Sequence, residues 1–251
     1  MPYGLYLSAE GAHVQSKRLE VLANNLANVD TPGFKRDLAV FQSRLAEATE
    51  RGMDAPGSGT MNDIGGGVRF GATLTDFSPG PIKTTGLDTD MAIDGDAFFV
   101  VRRKDGDYLT RAGNFMVDPL GRLVTQQGDS VMGDSGSPVV IPPEDGPWAV
   151  SPDGGISQAG SVNLLAMVRP QSAGDLVKVG DNLYRPLTAP RPLEPQQRRV
   201  MSGHLEASGV RPTLEMMELI EASRAYESNV AMIRNQDQIM GTLIGRVLKD
   251  G

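Results

Sequence analysis

Apolar residues recur every seven positions near the start of the chain. This spacing predicts an amphipathic helix over residues 4–29 whose apolar stripe faces a partner helix. A companion row contains Ser8, Gln15, Leu22 and Val29, so the stripe is polar in its first half. The main row consists of Leu5, Ala12, Leu19 and Leu26.

The same spacing returns at the end of the chain and predicts a second long helix. Pro212 suits a first helical position, and Glu215, Glu218 and Glu221 are expected on a solvated face. Because both stripes keep the seven-residue period, we expect the two helices to form a coiled-coil-like pair. The alternative, that each stripe packs on a local globular body, stays open. The second row consists of Leu219, Tyr226, Ile233, Met240 and Val247.

Between the helices the pattern changes to short apolar runs separated by turns. Ala97–Arg102 predicts a strand, and Asp105-Gly106-Asp107 is a hairpin signal. The predicted fold class is therefore α+β, with a mainly antiparallel β-domain inserted between long N- and C-terminal helices. The expected segments are an N-terminal helix and turn (1–36), an extended or flexible arm (37–67), a β-rich outer domain (68–201) and a C-terminal helix (202–251).

Three asparagines and an abrupt stop end the first helix. Asparagine disfavours helix interiors, so Asn24, Asn25 and Asn28 are expected to hydrogen-bond protein groups. The following Thr31-Pro32-Gly33 leaves the helix, and Pro32-Gly33 suits the two central positions of a type II turn.

Composition narrows the classes of function. The net charge of −7 argues against a nucleic-acid partner, and the absence of cysteine excludes disulfides and thiolate metal sites. No apolar run approaches the ~20 residues of a membrane span, and no cleavable signal peptide is visible. We therefore expect no membrane insertion, and if the protein leaves the cytoplasm, we expect a route that does not use a cleaved signal peptide.

Two stretches imitate catalytic or metal sites. Gly133–Pro138 is similar to the nucleophile loop of trypsin-like serine proteases, with Ser135 as the nucleophile, but His13 and His204 do not have that family's setting or chain order. The acidic run in Asp88–Asp96 lacks the spacing of a calcium loop, and its carboxylates are expected to be solvated. We predict no catalytic residue, cofactor or metal, and keep a serine hydrolase as a remote alternative.

Four stretches together resemble the flagellar axial proteins of bacteria, the rod and hook group. They are ANNLANVDTPGFKR at 23–36, MAIDGDAFFVV at 91–101, YLTRAGNF at 108–115, and the C-terminal GHLEASGV with MMELIEASRAYESNVAMI. The resemblance spans nearly the whole chain. It is closest to the proximal rod type, with the distal rod or a hook-type subunit as the near alternative. Arg211 departs from the family's usual asparagine.

The resemblance implies a non-enzymatic subunit of the basal-body rod, in the periplasm. Its partners would be copies of itself, other rod proteins and the flagellar type III export apparatus. Such a subunit would polymerise into a helical tube that transmits torque, and we expect Asn25 and Asn28 to support that assembly. A monomeric coiled-coil adaptor is a further class, and it predicts full helicity in dilute solution.

Overall fold

The computed structural model describes residues 3–45, 47–53, 55, 57 and 65–247. The chain divides into two units. The helical unit comprises Met1–Ala27, Asp37–Asp76 and Arg211–Gly251, and the β unit comprises Asn28–Arg36 and Phe77–Val210. The predicted α+β class is confirmed, with a helix toward each end of the chain and a central antiparallel β region.

The helical unit contains both long helices. The second begins at Pro212 as predicted, and the Arg211 carbonyl accepts the first helical hydrogen bond from the Glu215 N–H (3.0 Å). The helices pack antiparallel, since Asn25 near the end of the first bonds Glu215 near the start of the second. The elements are α1 (Tyr3–Ala27), β1 (Asp37–Arg44), α2 (Glu47–Glu50), β2 (Gly67–Thr75) and α3 (Pro212–Val247).

Strands β1 and β2 form an antiparallel two-stranded ribbon in the same unit. Their register runs from Asp37 opposite Thr75 to Arg44 opposite Gly67, with an irregularity between Val40 and Phe41. The segment expected to be an arm therefore contains a paired strand, because pairing between distant segments leaves no local sequence signal. Residues 46, 54, 56 and 58–64 of that segment lie outside the described residues.

The unit boundaries differ from the sequence-based segments in three places. Residues 28–36, assigned to the N-terminal helix and turn, and residues 202–210, assigned to the C-terminal helix, lie in the β unit. Residues 37–76 lie in the helical unit. Each difference reflects long-range contacts. The turn segment bonds to Glu206, and β1 bonds to Asn25.

The β unit is built around an antiparallel nine-stranded sheet. The predicted hairpin is present, with Arg103 opposite Gly106. The strand order is β14-β15-β6-β5-β9-β8-β7, and β13 joins β5 and β16. A three-stranded sheet (β10-β11-β12) and the pairs β17-β4 and β18-β3 complete the unit. The strands are β3 (Ile82–Thr84), β4 (Met91–Ile93), β5 (Phe98–Arg103), β6 (Gly106–Thr110), β7 (Met116–Val117), β8 (Leu123–Val124), β9 (Ser130–Val131), β10 (Trp148–Val150), β11 (Gly155–Gln158), β12 (Ser161–Leu164), β13 (Met167–Arg169), β14 (Leu176–Gly180), β15 (Leu183–Pro186), β16 (Arg191–Pro192), β17 (Val200–Ser202) and β18 (His204–Glu206).

The core of the β unit is apolar and closely packed. Phe99, Val101 and Leu123 are fully buried, and Phe99 meets Phe115 edge to face with ring centroids 5.1 Å apart. Trp148, the single tryptophan, packs against this core. The unit therefore has the hydrophobic interior that an independently stable domain needs.

Candidate assembly site

Asn25 joins three elements of the helical unit. Its side chain is fully buried, and Nδ2 donates to the Asp37 carbonyl (2.8 Å) and to the Glu215 carboxylate (3.3 Å). Its Oδ1 accepts from the Asp37 N–H (2.9 Å). One amide thus connects the end of α1 to the start of β1 and the first turn of α3. The prediction that Asn25 hydrogen-bonds protein groups is confirmed.

The position of Glu215 in the structure differs from the one expected from the sequence. It was expected on a solvated face with Glu218 and Glu221, but its side chain is fully buried. Glu218 is partly buried beside Arg18, with Nη2 and Oε2 3.6 Å apart, and Glu221 is exposed. A buried carboxylate requires hydrogen-bond donors, and Asn25 supplies one. Helical spacing alone could not show which side of α3 faces α1.

The residues of the predicted assembly rows differ in how far they are buried. In α1, Ala12 and Leu22 are buried, whereas Leu5, Leu19 and Leu26 are partly buried. In α3 the most deeply buried residues are Glu215 and Ala222. They belong to a companion row of α3, with residues seven positions apart, that continues through Asn229, Gln236 and Leu243. The predicted row of α3 therefore lies beside the centre of the contact. Leu219 and Ile233 are partly buried, Tyr226 and Met240 are exposed, and the side chain of Val247 lies outside the described residues.

Helix α3 presents many large apolar side chains to solvent. Met217 is 64% exposed and Ile239 is 59% exposed, and Leu214, Met217 and Ile220 line a shallow depression with Arg224. Exposed apolar surface of this kind marks interaction sites in soluble proteins. The large exposed apolar residues are Leu214, Met216, Met217, Ile220, Tyr226, Met232, Ile239, Met240, Leu243 and Ile244.

The turn after α1 has the geometry that its sequence requires. The Phe34 N–H donates to the Thr31 carbonyl (3.2 Å) across Pro32-Gly33, and Gly33 has a φ of 66°. A side chain at Gly33 would also meet the Arg111 backbone at 2.5 Å, so only glycine fits. Asn28 belongs to the same turn, where its Oδ1 accepts from the Thr31 hydroxyl (3.2 Å).

A buried carboxylate in the β unit connects three of the stretches that carry the family resemblance. Glu206 Oε1 lies 2.7 Å from Lys35 Nζ, and its Oε2 lies 2.7 Å from Arg111 Nε. The Gly80 N–H also donates to Oε1 (2.8 Å). The Arg111 guanidinium further donates to backbone carbonyls, including that of Gly95 (2.8 Å). The side chains of the three charged residues are each at most 3% exposed.

Electrostatics keep Glu206 ionised. Burial raises its pKa, but the charges of Arg111 and Lys35 and the bonds from Lys35 and Gly80 outweigh it, so the pKa lies below its usual 4.5. This network was not predicted from the sequence. Its only signal was that each of its charged members lies inside a short motif, Lys35 in PGFKR, Arg111 in YLTRAGNF and Glu206 in GHLEASG.

Residues of the protease-like loop and of the acidic run make ordinary contacts with other protein groups. The Ser135 hydroxyl pairs with that of Ser137 (2.6 Å), and His204 Nδ1 contacts the Ser202 carbonyl (2.7 Å). Asp88, Asp94 and Asp96 are exposed as expected, but Asp90 is buried. The expectation that the whole acidic run is solvated is thus wrong for Asp90, which lies at a bridge to Asn114.

Neither a metal cluster nor a membrane-spanning helix is found in the part of the chain that the structure describes. No group of three or more histidine, aspartate or glutamate side chains in it is placed to hold a metal ion. Within the same ranges, no helix has both the length and the apolar character needed to cross a bilayer.

Comparisons with known proteins identify the family. The family models described as flagella basal body rod protein, flagellar hook protein FlgE/F/G D1 domain, and flagellar basal body rod FlgEFG protein C-terminal match residues 5–35, 92–158 and 201–246. The flagellar basal-body rod protein FlgF of Caulobacter vibrioides is 36% identical over 251 residues, covering 99% of each chain. FlgG of Bacillus subtilis is 32% identical over 96% of this chain and 97% of its own. FlgG of Caulobacter vibrioides is 31% identical over 94% and 96%. The chain therefore belongs to the flagellar basal-body rod protein family and is a structural subunit of that rod.

Proposed function

We propose that this subunit polymerises with copies of itself and with other rod proteins into a helical tube that transmits torque through the periplasm. The observation that carries the proposal is the number of large apolar side chains that α3 exposes. A subunit that uses one surface to bind a different surface of the next copy builds an open filament when the rotation does not close. Burial of these exposed side chains of α3 would supply the driving force.

The proposal includes a coiled-coil-like pairing of α1 and α3 at the assembly core. Its support is the seven-residue spacing of their apolar rows and the contacts from Asn25 to Glu215 and from Arg18 to Glu218. In this arrangement each helix uses one side for its partner and leaves the opposite side for neighbouring subunits. The exposed side of α3 is then the surface that a second subunit covers.

The proposed type of subunit is the proximal rod protein. The FlgF relative of Caulobacter vibrioides is 36% identical, and the two FlgG relatives described above are 32% and 31% identical. Delivery by the flagellar type III export apparatus without a cleaved signal peptide is part of the same proposal, and its support is the family membership. Mixing the purified chain with each rod component separately tests the assignment, since preferential binding of distal components would contradict it.

The proposed domain organisation makes the β unit, Asn28–Arg36 with Phe77–Val210, independent of the terminal helices. Removal of residues 212–251 should then abolish rod formation and leave the β unit folded. Fluorescence of Trp148, which lies in the β unit, reports that fold directly. Formation of rods by the truncated chain would contradict the assembly role of α3.

Charge substitution on α3 provides the sharpest test of the assembly surface. Met217→Glu with Ile220→Glu changes side chains that are 64% and 53% exposed, so the free energy of unfolding should change little. Sedimentable assembly and motility of the complemented cell should fall at least about tenfold, because charges would be buried in the subunit contact.

The matched control is Leu120→Glu with Leu187→Glu, at positions 72% and 62% exposed in the β unit. The control should assemble like the unaltered chain. Equal assembly of both double variants would refute the assignment of the assembly surface to α3.

A further inference from the structure

The contact between α1 and α3 contains two glycines that face two amides. The Cβ position of Gly11 lies 2.7 Å from Asn229 Oδ1, and that of Gly4 lies 2.9 Å from Gln236 Nε2. A Cβ atom at either glycine would require the amide opposite to shift. The space beside each glycine of α1 is therefore filled by the end of a polar side chain from α3.

The contacts follow one alignment along the whole helix pair. Because the helices are antiparallel, a position seven residues further along α1 faces a position seven residues earlier in α3. Continued in the same direction, the alignment places Arg18 opposite the fully buried Ala222, and Asn25 bonds the fully buried Glu215. In three of these four layers a small residue faces a polar one. They are Gly4 with Gln236, Gly11 with Asn229, and Arg18 with Ala222.

Polar layers are a poor source of stability. Gln15 Oε1 and Gln236 Oε1 are buried without a hydrogen-bond partner among the described residues, which costs free energy. In paired helices, a buried polar side chain is known to fix register and partner at the expense of stability. Because these buried polar side chains lower stability, their role is better explained as aligning the two helices than as stabilising the contact between them.

We infer that the glycine–amide contacts Gly4–Gln236 and Gly11–Asn229 set the register of α1 against α3. A seven-residue repeat allows the helices to slip by seven residues with their apolar rows still in contact. A slip in one direction places Gly11 opposite Ala222 and leaves a void. A slip in the other direction forces Arg18 against Asn229. The inference concerns contacts within one chain and does not depend on the proposed assembly.

The test is an exchange of the two residues in one layer. Gly11→Asn alone places two amides in the space of one, and Asn229→Gly alone leaves a hole. The double exchange Gly11→Asn with Asn229→Gly restores one small and one large residue, and keeps one glycine and one asparagine in the helix pair. Its matched control is Gly11→Asn with Asn235→Gly, which has the same composition but places the gap at an exposed position.

The readout uses the absence of cysteine from the chain. Arg18→Cys with Glu218→Cys introduces two thiols at positions that face each other outside the glycine–amide contacts. A short bis-maleimide then reports the aligned register by the rate of intramolecular cross-linking. We expect Gly11→Asn to lower this rate about tenfold, since overpacking a contact displaces it. The double exchange should restore the rate to within about threefold of the original, while the control remains low.

Two results would overturn the inference. One is failure of the Arg18→Cys, Glu218→Cys pair to cross-link in the otherwise unaltered chain. The other is equal cross-linking in the double exchange and in its control, because a merely structural effect of glycine and asparagine content would act on both alike.

Discussion

The two units of the molecule bury very different kinds of residue. The β unit contains two apolar clusters built on Phe99, Leu123 and their neighbours and on Phe98, Leu109 and Tyr184. Among the described residues of the helical unit, the buried apolar side chains are Ala12, Val14, Leu22 and Ala222. Helical stability in proteins comes mostly from packing of an apolar face. The β unit therefore carries its own stability, and the helical unit has most of its apolar surface still to bury.

The units also differ in how completely their buried polar groups are paired. In the β unit, Glu206 is enclosed by two cations and a backbone donor. In the helical unit, the side-chain oxygens of Gln15 and Gln236 are buried without a hydrogen-bond partner among the described residues. Compensated charge supports one well-defined fold, whereas a polar contact with unmet acceptors is easier to open.

Among the substitutions predicted below, Glu206→Gln should cause the largest loss of unfolding free energy, and the loss should fall on the β unit. The substitution removes the buried carboxylate charge with which both Lys35 and Arg111 pair, which costs about 3–5 kcal/mol. Urea unfolding followed by Trp148 fluorescence measures the loss in the β unit. Glu194→Gln is the control, because it removes the same charge from an exposed position. An effect of Glu206→Gln no larger than that of the control would show that the network is dispensable.

Acid should weaken the β unit through the same carboxylate. The pKa of Glu206 is below 4.5 in the fold, so the stabilisation is present above about pH 4.5 and is lost as the pH falls through the lower, folded value. The difference in unfolding free energy between the unaltered chain and Glu206→Gln should narrow over that range. A difference that stays constant down to pH 2 would refute ionised Glu206 as the cause.

Asn25→Ala should destabilise the helical unit by about 1–3 kcal/mol, because Glu215 and the Asp37 N–H each lose a buried partner. Circular dichroism at 222 nm follows α1 and α3, and Trp148 fluorescence follows the β unit. The helical signal should melt earlier, and rod assembly should weaken further. The exposed Asn235→Ala serves as the control. Simultaneous loss of both signals would contradict the separation of the two units.

Ile239→Gln should have the smallest effect on stability, within about 0.5 kcal/mol, because the side chain is 59% exposed. It should nevertheless reduce assembly, since it removes apolar surface from α3. Sedimentation of the assembled protein, with thermal unfolding of the free subunit measured in parallel, separates the two effects. A large loss of stability would show that Ile239 is already buried in the free subunit.

Local sequence patterns predicted the elements better than their contacts. Both long helices and the hairpin around Gly106 follow from residue spacing and turn chemistry, and the resemblance of four motifs indicated the rod family. The same patterns placed Glu215 and Asp90 in solvent and described residues 37–44 as an arm. All three errors concern partners that are distant in sequence, namely Asn25 for Glu215, Asn114 for Asp90 and β2 for the arm.

The sequence by itself determined where the helices begin, that a proline and a glycine end the first, and that a β region lies between them. These features depend on backbone preferences and on periodic apolar positions, which act over a few residues. Tertiary structure decided that Lys35, Arg111 and Glu206 form one buried network. It also decided that the companion row of α3, with Glu215 and Ala222, faces α1. Burial and charge compensation depend on the groups that the fold brings together, so they follow only from the three-dimensional arrangement.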